Sequence, residues 1–238
     1  MGPVWHFTPG TLTLVHNAPM LTIESRGDVR VIHWQDHENR FNATSVGKWH
    51  EVLDELEGTA GPMSVVITGD GKFFSNGLDL ESFATDRSGA AAVINDVHRL
   101  LGRMLLLPAY TVAALNGHTF AAGAMLACTV DARVMRNDRG YWCLPEVDLG
   151  LPLTPPMFAA VTARLSTVTA AEAMNTGRRY TADEALAAGI VDHVASEDEV
   201  VDRAVSLAAA VAGKDRSVIA EHKRMLFSEA ARICGVDC

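Results

Sequence analysis

The stretch that most constrains the fold runs from residue 110 to residue 152, where apolar segments surround one carboxylate. Its pattern predicts a strand ending at Asn116-Gly117, a short buried helix from about Phe120 to Thr129, and a second strand over Ala132–Arg136. A return segment then carries Glu146 among apolar neighbours. Because burying a carboxylate costs free energy, this acid is either a partly exposed residue at a strand end or a group with a chemical task.

The sequence before this stretch alternates strand and helix signals. A turn with glycine predicts a β-hairpin, and wholly apolar runs predict strands that are buried on both faces. Apolar residues at helical spacing, with a cap at one end and Gly or Pro at the other, predict helices. The predicted elements are strands Met20–Ser25 and Val29–Trp34, a helix from Thr44 to Gly58, strand Met63–Thr68, and a helix from about Gly89 to Leu107.

The sequence after this stretch is mainly helical. Thr154 before Pro155 predicts a helix start, and Thr169–Glu172 and Thr181–Glu184 each match a capping box. A short strand over Ile190–Val194 precedes helices at about 198–212 and 215–231. We therefore expect three parts: a poorly ordered extension at 1–19, an α/β core of βαβ-like units at 20–194, and a C-terminal helical region at 195–238. The long apolar faces of that region suggest packing on another subunit.

Composition excludes several classes of protein. A net charge of −9 without a cluster of Lys and Arg argues against nucleic acid or a membrane surface as partner. No apolar run reaches the length of a membrane span, and the N-terminus lacks the pattern of a secretory signal. The four cysteines form no CxxC pair, which favours reduced thiols, a cytoplasmic location and no metal site. GxGxxG and GxSxG motifs are missing, so a dinucleotide-binding enzyme or a serine hydrolase is disfavoured.

Four segments, in order and in register, resemble the crotonase (enoyl-CoA hydratase/isomerase) superfamily. FFSNGLDL, AALNGH followed by AAG, and MRNDRG before the acid are most similar to the Δ3,Δ2-enoyl-CoA isomerases of the plant peroxisomal type. The resemblance implies a spiral of ββα units, with trimers, or dimers of trimers, packed through the C-terminal helices. The segments are KFFSNGLDL (72–80), residues 108–131 with AALNGHTFAAGAMLACTVD, LPEVDLGLP (144–152), and TGRRYTADEALAAGIVDHV (176–194).

The resemblance also implies a site for an acyl-CoA thioester, with no cofactor beyond the coenzyme A of the substrate. The implied oxyanion hole consists of the backbone N–H groups of Leu78 and Ala122, and the implied catalytic base is Glu146. The implied contacts with CoA are Arg40, Lys72 and Asn76, and the implied acyl pocket includes Met125 and Leu149. The placement of Ala122 has independent support, because free N–H groups lie at a helix N-terminus.

The number of carboxylates separates two reactions of this family. Removing a proton beside a thioester carbonyl creates an enolate, which needs donors at the oxygen and a base near the α-carbon. Hydratases use two glutamates to add water, and the position of the other glutamate holds Met125 here. One carboxylate suffices to move a proton from C2 to C4 of a 3-enoyl-CoA. The expected activity is therefore Δ3,Δ2-enoyl-CoA isomerisation in fatty acid β-oxidation.

Several roles and activities stay open at this level. Asp148 shares a face with Glu146 if the segment is extended, either as a second polar group or as an ion-pair partner. Asp79, Asn116 and His118 fit structural roles in loops, although His118 could contact the ligand. Lys223 or Arg224 could reach CoA in its own or a neighbouring subunit. The alternatives are enoyl-CoA hydratase, dienoyl-CoA isomerase, acyl-CoA thioesterase, and a non-catalytic acyl-CoA-binding scaffold.

Overall fold

The computed structural model describes residues 20–85 and 87–237, so the predicted extension over residues 1–19 and the thiol of Cys238 lie outside the described residues. Strands and helices alternate through the first part of the chain, and helices dominate the last part. The strands are β1 (Leu21–Arg26), β2 (Val29–Trp34), β3 (Arg40–Phe41), β4 (Ser64–Gly69), β5 (Phe73–Ser75), β6 (Gly77–Leu78), β7 (Tyr110–Leu115), β8 (His118–Phe120), β9 (Ala132–Arg136), β10 (Trp142–Cys143) and β11 (His193–Ala195). The α-helices are α1 (Ala43–Gly58), α2 (Leu80–Thr85), α3 (Arg87–Leu106), α4 (Ala122–Ala127), α5 (Pro155–Thr162), α6 (Thr167–Thr176), α7 (Ala182–Ala187), α8 (Val200–Ala212) and α9 (Arg216–Ile233).

A six-stranded sheet in the order β1-β2-β4-β7-β9-β11 forms the centre of the fold. The predicted hairpin is confirmed: β1 and β2 pair antiparallel, from Leu21 opposite Trp34 to Arg26 opposite Val29. The remaining neighbours in this sheet pair in parallel. Parallel strands need helical crossovers and helices on both faces, which explains the alternation of apolar strands and amphipathic helices in the sequence. The α/β class is therefore confirmed.

The two faces of the sheet have different covers. On one face, α8 packs against the inner strands, with Val200, Ala204 and Ala208 in one buried cluster with sheet valines such as Val112. The larger core lies on the other face and includes Trp34 and the side chains of α1 and α3. The apolar stripe of α8 is therefore used within the chain and is not free for another subunit, whereas α9 packs on α3 and α5.

Two smaller sheets position the segments identified in the sequence. The three-stranded sheet β10-β8-β5 holds residues 118–120, which lead into α4, between two other strands, and β3 pairs in parallel with β6. Asn116 fixes the neighbouring turns, because its side chain accepts a hydrogen bond from the Gly69 N–H at 2.9 Å. These sheets bring residues 76–80, 120–125 and 142–147 close together.

Some predicted boundaries were wrong for identifiable reasons. The α1 cap is Asn42 rather than Thr44, since the Asn42 Oδ1 accepts hydrogen bonds from the N–H groups of Thr44 and Ser45. Ser166 caps α6, so the capping box at Thr169 does not form; Thr169 instead donates its hydroxyl to the Ala188 carbonyl at 2.9 Å. The capping box at Thr181 is confirmed. The last strand lies at His193–Ala195, later than predicted.

The described cysteines Cys128, Cys143 and Cys234 are buried and free. Within the described ranges, no helix combines the length and the apolar character needed to cross a bilayer.

Candidate active site

A cavity of about 620 Å³ lies between α2, α3, α4 and the segment from Pro145 to Met157. Its wall is mostly apolar, with a few polar groups, which is typical of sites for small organic ligands. It gathers most of the residues that the sequence predicted: Arg40, Asn76, Leu78, Ala122, Met125, Glu146 and Leu149. Lys72 does not line it. The remaining lining residues are Leu80, Glu81, Phe83, Ile94, Phe120, Ala121, Pro145, Leu151, Pro152, Thr154 and Met157.

The Gly77-Leu78 backbone touches the start of α4. Gly77 has a φ of 81°, a conformation that favours glycine. A Cβ atom on Gly77 would lie 2.7 Å from the Ala121 Cβ, closer than two such atoms can pack, and in a tight contact of 3.2 Å with the Ala122 nitrogen. Glycine at this position therefore allows the segment that carries Leu78 to lie directly beside Ala122.

The turn into α4 is strained. Ala121 has φ 51° and ψ −125°, which is uncommon for a residue with a side chain. Such a conformation costs on the order of 1–3 kcal/mol and persists where the surroundings enforce it. The tight packing of Gly123 contributes, since a Cβ there would lie 2.6 Å from the Ser75 Cβ. Ala122 is the first residue of α4, so its N–H has no acceptor within that helix. Ala122 also lines the cavity.

Glu146 lies in a 3₁₀-helical turn (Pro145–Val147) and is only 7% exposed. The Leu151 N–H donates to the Glu146 carbonyl at 3.0 Å, which closes the loop after the turn. Within residues 20–85 and 87–237, the buried Oε2 has no hydrogen-bond partner. Burial raises the pKa of this carboxyl above its ordinary value. A carboxylate so placed is a stronger base than one in water, and one of its oxygens is available to a ligand.

This burial predicts that Glu146→Gln stabilises the protein at alkaline pH. With a raised folded-state pKa, the native protein holds the Glu146 proton more tightly than the unfolded chain, so stability falls as the pH rises from the unfolded value through the folded one. Glutamine removes that loss, so we expect the free energy of unfolding to be larger by on the order of 1 kcal/mol at pH 8. This difference disappears near pH 4. Thermal unfolding at both pH values measures it. A variant that is less stable than wild type at pH 8 would contradict this assignment of the buried charge.

Asp148 is not a second group of the cavity. A shared face with Glu146 was expected only for an extended segment, and the segment is instead a 3₁₀-helical turn. Asp148 is exposed and lies against the C-cap of α6, where a Cβ on Gly177 would be 2.7 Å from the Asp148 Oδ2. Asp148 therefore has a structural role outside the cavity.

The cations at the cavity edge differ in how far their charge is already balanced. Arg40 pairs with Glu38 at 2.7 Å and with both Asp79 and Glu81 at 3.6 Å. Asn76 also donates to Glu38, at 2.8 Å. Arg40 and Asn76 therefore line the cavity, but their polar groups already bind carboxylates.

Three other cations, Lys72, Arg139 and Arg179, form a cluster around His118 that we call the cation cluster. The Lys72 Nζ lies 5.2 Å from the centre of the Phe73 ring. The Arg179 Cζ lies 5.8 Å from the centre of the Phe120 ring, and Phe120 lines the cavity. In the described part of the chain, none of these cations pairs with a carboxylate within 4.0 Å. Desolvation and the charges of all three lower the pKa of His118. Sequence reasoning found Lys72 but missed both arginines.

Lys223 was wrongly considered as a CoA contact, whereas contact of Arg224 with a CoA in a neighbouring subunit stays a prediction. Lys223 is 3% exposed, donates to the Ala109 carbonyl at 2.8 Å and pairs with Asp131 at 2.7 Å. Arg224 pairs with Glu221 on the same helix. The Lys223 ammonium is thus enclosed within its own chain, away from the cavity, and Arg224 does not line the cavity either.

Comparisons with known proteins agree with the fold and identify the family. Residues 24–232 match the family model described as enoyl-CoA hydratase/isomerase. The chain is 36% identical over 228 residues to enoyl-CoA delta isomerase 3 of Arabidopsis thaliana, covering 90% of this chain and 94% of that protein. It is also 36% identical over 231 residues to the peroxisomal enoyl-CoA delta isomerase 2 of the same plant, covering 92% and 96%.

A solved structure gives the same fold. The human mitochondrial delta3-delta2-enoyl-CoA isomerase superposes with a TM-score of 0.84 at 25% identity, covering 90% of this chain and 85% of that one. The predicted crotonase-like fold and the predicted similarity to plant isomerases are thereby confirmed. The chain belongs to the enoyl-CoA hydratase/isomerase family.

Proposed function

We propose that this protein is a Δ3,Δ2-enoyl-CoA isomerase of fatty acid β-oxidation that moves a double bond with one carboxylate. Glu146 removes a proton from C2 of a 3-enoyl-CoA, which leaves a dienolate with its charge on the thioester oxygen. The same carboxyl returns the proton at C4, and the product is the conjugated trans-2-enoyl-CoA. The observation that carries the proposal is a buried Glu146 whose Oε2 has no hydrogen-bond partner among the described residues, in a cavity that Leu78 and Ala122 also line.

The N–H groups of Leu78 and Ala122 are proposed to bind the thioester oxygen. The close packing of Gly77 on Ala121 holds the two residues beside each other, so no reorganisation is needed when charge develops. A donor placed in advance at such an oxygen typically contributes about 10²–10³ in rate. Ala122 adds the positive end of a helix to this effect.

Met125 is the reason for preferring isomerisation to hydration. It lines the same cavity as Glu146 and is 1% exposed, so it forms part of the buried wall. A thioether is only a weak acceptor and cannot take a proton from water. The other carboxylate that lines the cavity, Glu81, is 88% exposed and pairs with Arg40. Among the described residues that line the cavity, water addition therefore lacks a second buried carboxylate.

Recognition of CoA is proposed to rest on the cation cluster as well as on Arg40 and Asn76. CoA carries phosphate groups, and within the described residues the three cations of the cluster have no carboxylate within 4.0 Å, unlike Arg40. Arg40 can bind a phosphate only in competition with Asp79 and Glu81. We therefore expect Lys72 and the two arginines to contribute more to CoA affinity than Arg40.

The trimeric assembly and the cytoplasmic location are also proposals. An apolar groove between α5 and α9 exposes Phe158 and Leu226, which fits packing of copies of this chain into a trimer. The cytoplasmic location stays a prediction from the thiols. One of the plant relatives is called peroxisomal in its name, which describes that protein.

The direct test is incubation with hex-3-enoyl-CoA while the absorbance of the conjugated enoyl thioester is followed. The proposal predicts that conjugated product accumulates with catalytic turnover. A scaffold that only binds acyl-CoA gives no absorbance change although calorimetry shows binding, and that result would overturn the proposal.

A further inference from the structure

A histidine lies at the centre of the cation cluster, and the isomerase chemistry does not use it. The His118 ring packs against the rings of Phe73, Phe120 and Tyr141, at centroid distances of 5.4, 4.9 and 5.7 Å. In the described part of the chain, its buried Nδ1 atom has no hydrogen-bond partner. The residue as a whole is half-buried, so part of it stays open to a ligand. Because Phe120 also lines the cavity, the surroundings of His118 are continuous with the cavity wall.

The backbone holds two of the three cations next to this histidine. The His118 N–H donates to the Lys72 carbonyl at 3.0 Å. Gly140, which follows Arg139, packs so closely that a Cβ on it would lie 3.1 Å from the His118 nitrogen. Arg179 comes from the segment after α6 and adds a third positive charge that acts on the ring. The cluster is therefore built from separate segments that the fold brings around one imidazole.

All the charges that act on the His118 ring are positive. They are those of Lys72, Arg139 and Arg179, and no carboxylate among the described residues offsets them at the ring. The other titratable side chain beside the ring is the phenol of Tyr141. Desolvation and the three charges lower the pKa of His118, so the ring is neutral near pH 7 in the free protein. An anion that binds in the cluster would reverse the sign of the charge around the ring.

We infer that His118 takes up a proton when a phosphate group of CoA binds among Lys72, Arg139 and Arg179, which couples the affinity for CoA thioesters to pH. This inference rests on the proposed function, since it concerns how the same thioester is held. The proton comes from the solvent and stays on the ring while the phosphate is bound. An imidazolium donates from both nitrogens, so one N–H can bind a phosphate oxygen in a charge-assisted hydrogen bond. The faces of the neighbouring aromatic rings also attract a cation.

The direction of the pH dependence follows from this change of charge. Phosphate favours the protonated ring, so the pKa of His118 is higher in the complex than in the free protein. Binding then takes up a proton at any pH between the two values, and the affinity rises as the pH falls through that range. Between pH 8 and pH 6 we expect the affinity for hexanoyl-CoA to rise at least about fivefold more in the wild type than in His118→Gln, whose amide cannot take up a proton.

The test is calorimetry of hexanoyl-CoA binding at pH 6.5 in buffers of different ionisation enthalpy, which counts the protons taken up. The wild type should take up about half a proton more per bound ligand than His118→Gln. The variants must be compared with each other, because the 3′-phosphate of CoA itself titrates near about pH 6. His193→Gln is the matched control, since His193 is a half-buried histidine on β11 that does not line the cavity. It should take up as many protons as the wild type.

Two further ligands identify the group that causes the uptake. Hexanoyl-pantetheine has no phosphate, so the wild type and His118→Gln should take up equal numbers of protons when they bind it. Hexanoyl-dephospho-CoA keeps the pyrophosphate and lacks the 3′-phosphate. If the difference between the two proteins persists with this ligand, the pyrophosphate binds in the cation cluster; if the difference disappears, the 3′-phosphate does. Both results support the inference.

Equal proton uptake by the wild type and His118→Gln with hexanoyl-CoA would overturn this inference and leave the isomerase proposal intact. A difference that persists with hexanoyl-pantetheine would overturn it as well. If His118→Gln fails to fold, the wild type decides alone, because its uptake must be larger with hexanoyl-CoA or the dephospho form than with hexanoyl-pantetheine. Failure of hexanoyl-CoA to bind at all would contradict the proposed function itself, and the inference with it.

Discussion

Glu146→Gln loses isomerase turnover by about 10³–10⁴-fold while the protein still folds and binds acyl-CoA. The amide has the size of the carboxyl but cannot accept the C2 proton, and a positioned acid or base contributes up to about 10⁴ in rate. Its surroundings should tolerate the change, because the Glu146 Oε2 makes no hydrogen bond within the described residues that an amide would break. The measurements are kcat with hex-3-enoyl-CoA and Kd for hexanoyl-CoA.

Asp148→Asn is the matched control for that substitution. Asp148 follows the same 3₁₀-helical turn, yet it is exposed and packs against Gly177 outside the cavity wall. Loss of its charge should change kcat by no more than a few-fold. If Glu146→Gln retains turnover, or if Asp148→Asn loses as much as Glu146→Gln, the single-carboxylate account is wrong.

Gly77→Ala lowers kcat by about 10²-fold or more, because it forces apart the two backbone segments that hold the thioester oxygen. The added Cβ would lie 2.7 Å from the Ala121 Cβ and 3.2 Å from the Ala122 nitrogen, so Leu78 or Ala122 must move. Loss of one properly placed donor at such an oxygen costs about 10²–10³ in kcat. Steady-state kinetics with hex-3-enoyl-CoA measures the effect, and a melting curve verifies that the variant folds.

Gly71→Ala is the control that separates the collision at Gly77 from the cost of placing a side chain at a positive φ. Gly71 has a φ of 61° and Gly77 one of 81°, so both substitutions place a side chain in the left-handed region. Nothing lies within 4 Å of a Cβ on Gly71, so that variant has the strain without the collision. It should lose some stability and keep its kcat. Equal kcat values for the two variants would show that the approach of Gly77 to Ala122 has no role in catalysis.

The segments that form the cavity were predictable because their signals are local. Residues 110–115 form a buried strand, and the small residues at 121–123 form the tight start of a helix, as their composition indicates. Glu146 stood out as an acid in an apolar run, and its burial follows from that run. The turn type around it did not follow, because Pro145 and Glu146 fit an extended segment as well as the 3₁₀ turn that forms.

The charge pairs of Lys223 with Asp131 and of Arg40 with Asp79 and Glu81 were not predictable, because they join residues that are far apart in sequence. Lys223 appeared to be a free cation on the last helix, and only the fold places it against Asp131. Arg40 appeared to be a phosphate contact, and only the fold brings Asp79 and Glu81 to it. Thr154 was identified as a helix cap, and only the fold shows that this residue also lines the cavity.

The most direct test of isomerisation by a single carboxylate compares proton transfer with water addition in one preparation of the enzyme. Isomerisation is measured with hex-3-enoyl-CoA as the gain of conjugated thioester, and hydration with trans-hex-2-enoyl-CoA as its loss. Because Met125 occupies the wall in which hydration would need a second acid or base, isomerisation should exceed hydration by at least about 10²-fold, the lower end of what such a group contributes. Hydration that is as fast as isomerisation would contradict the account.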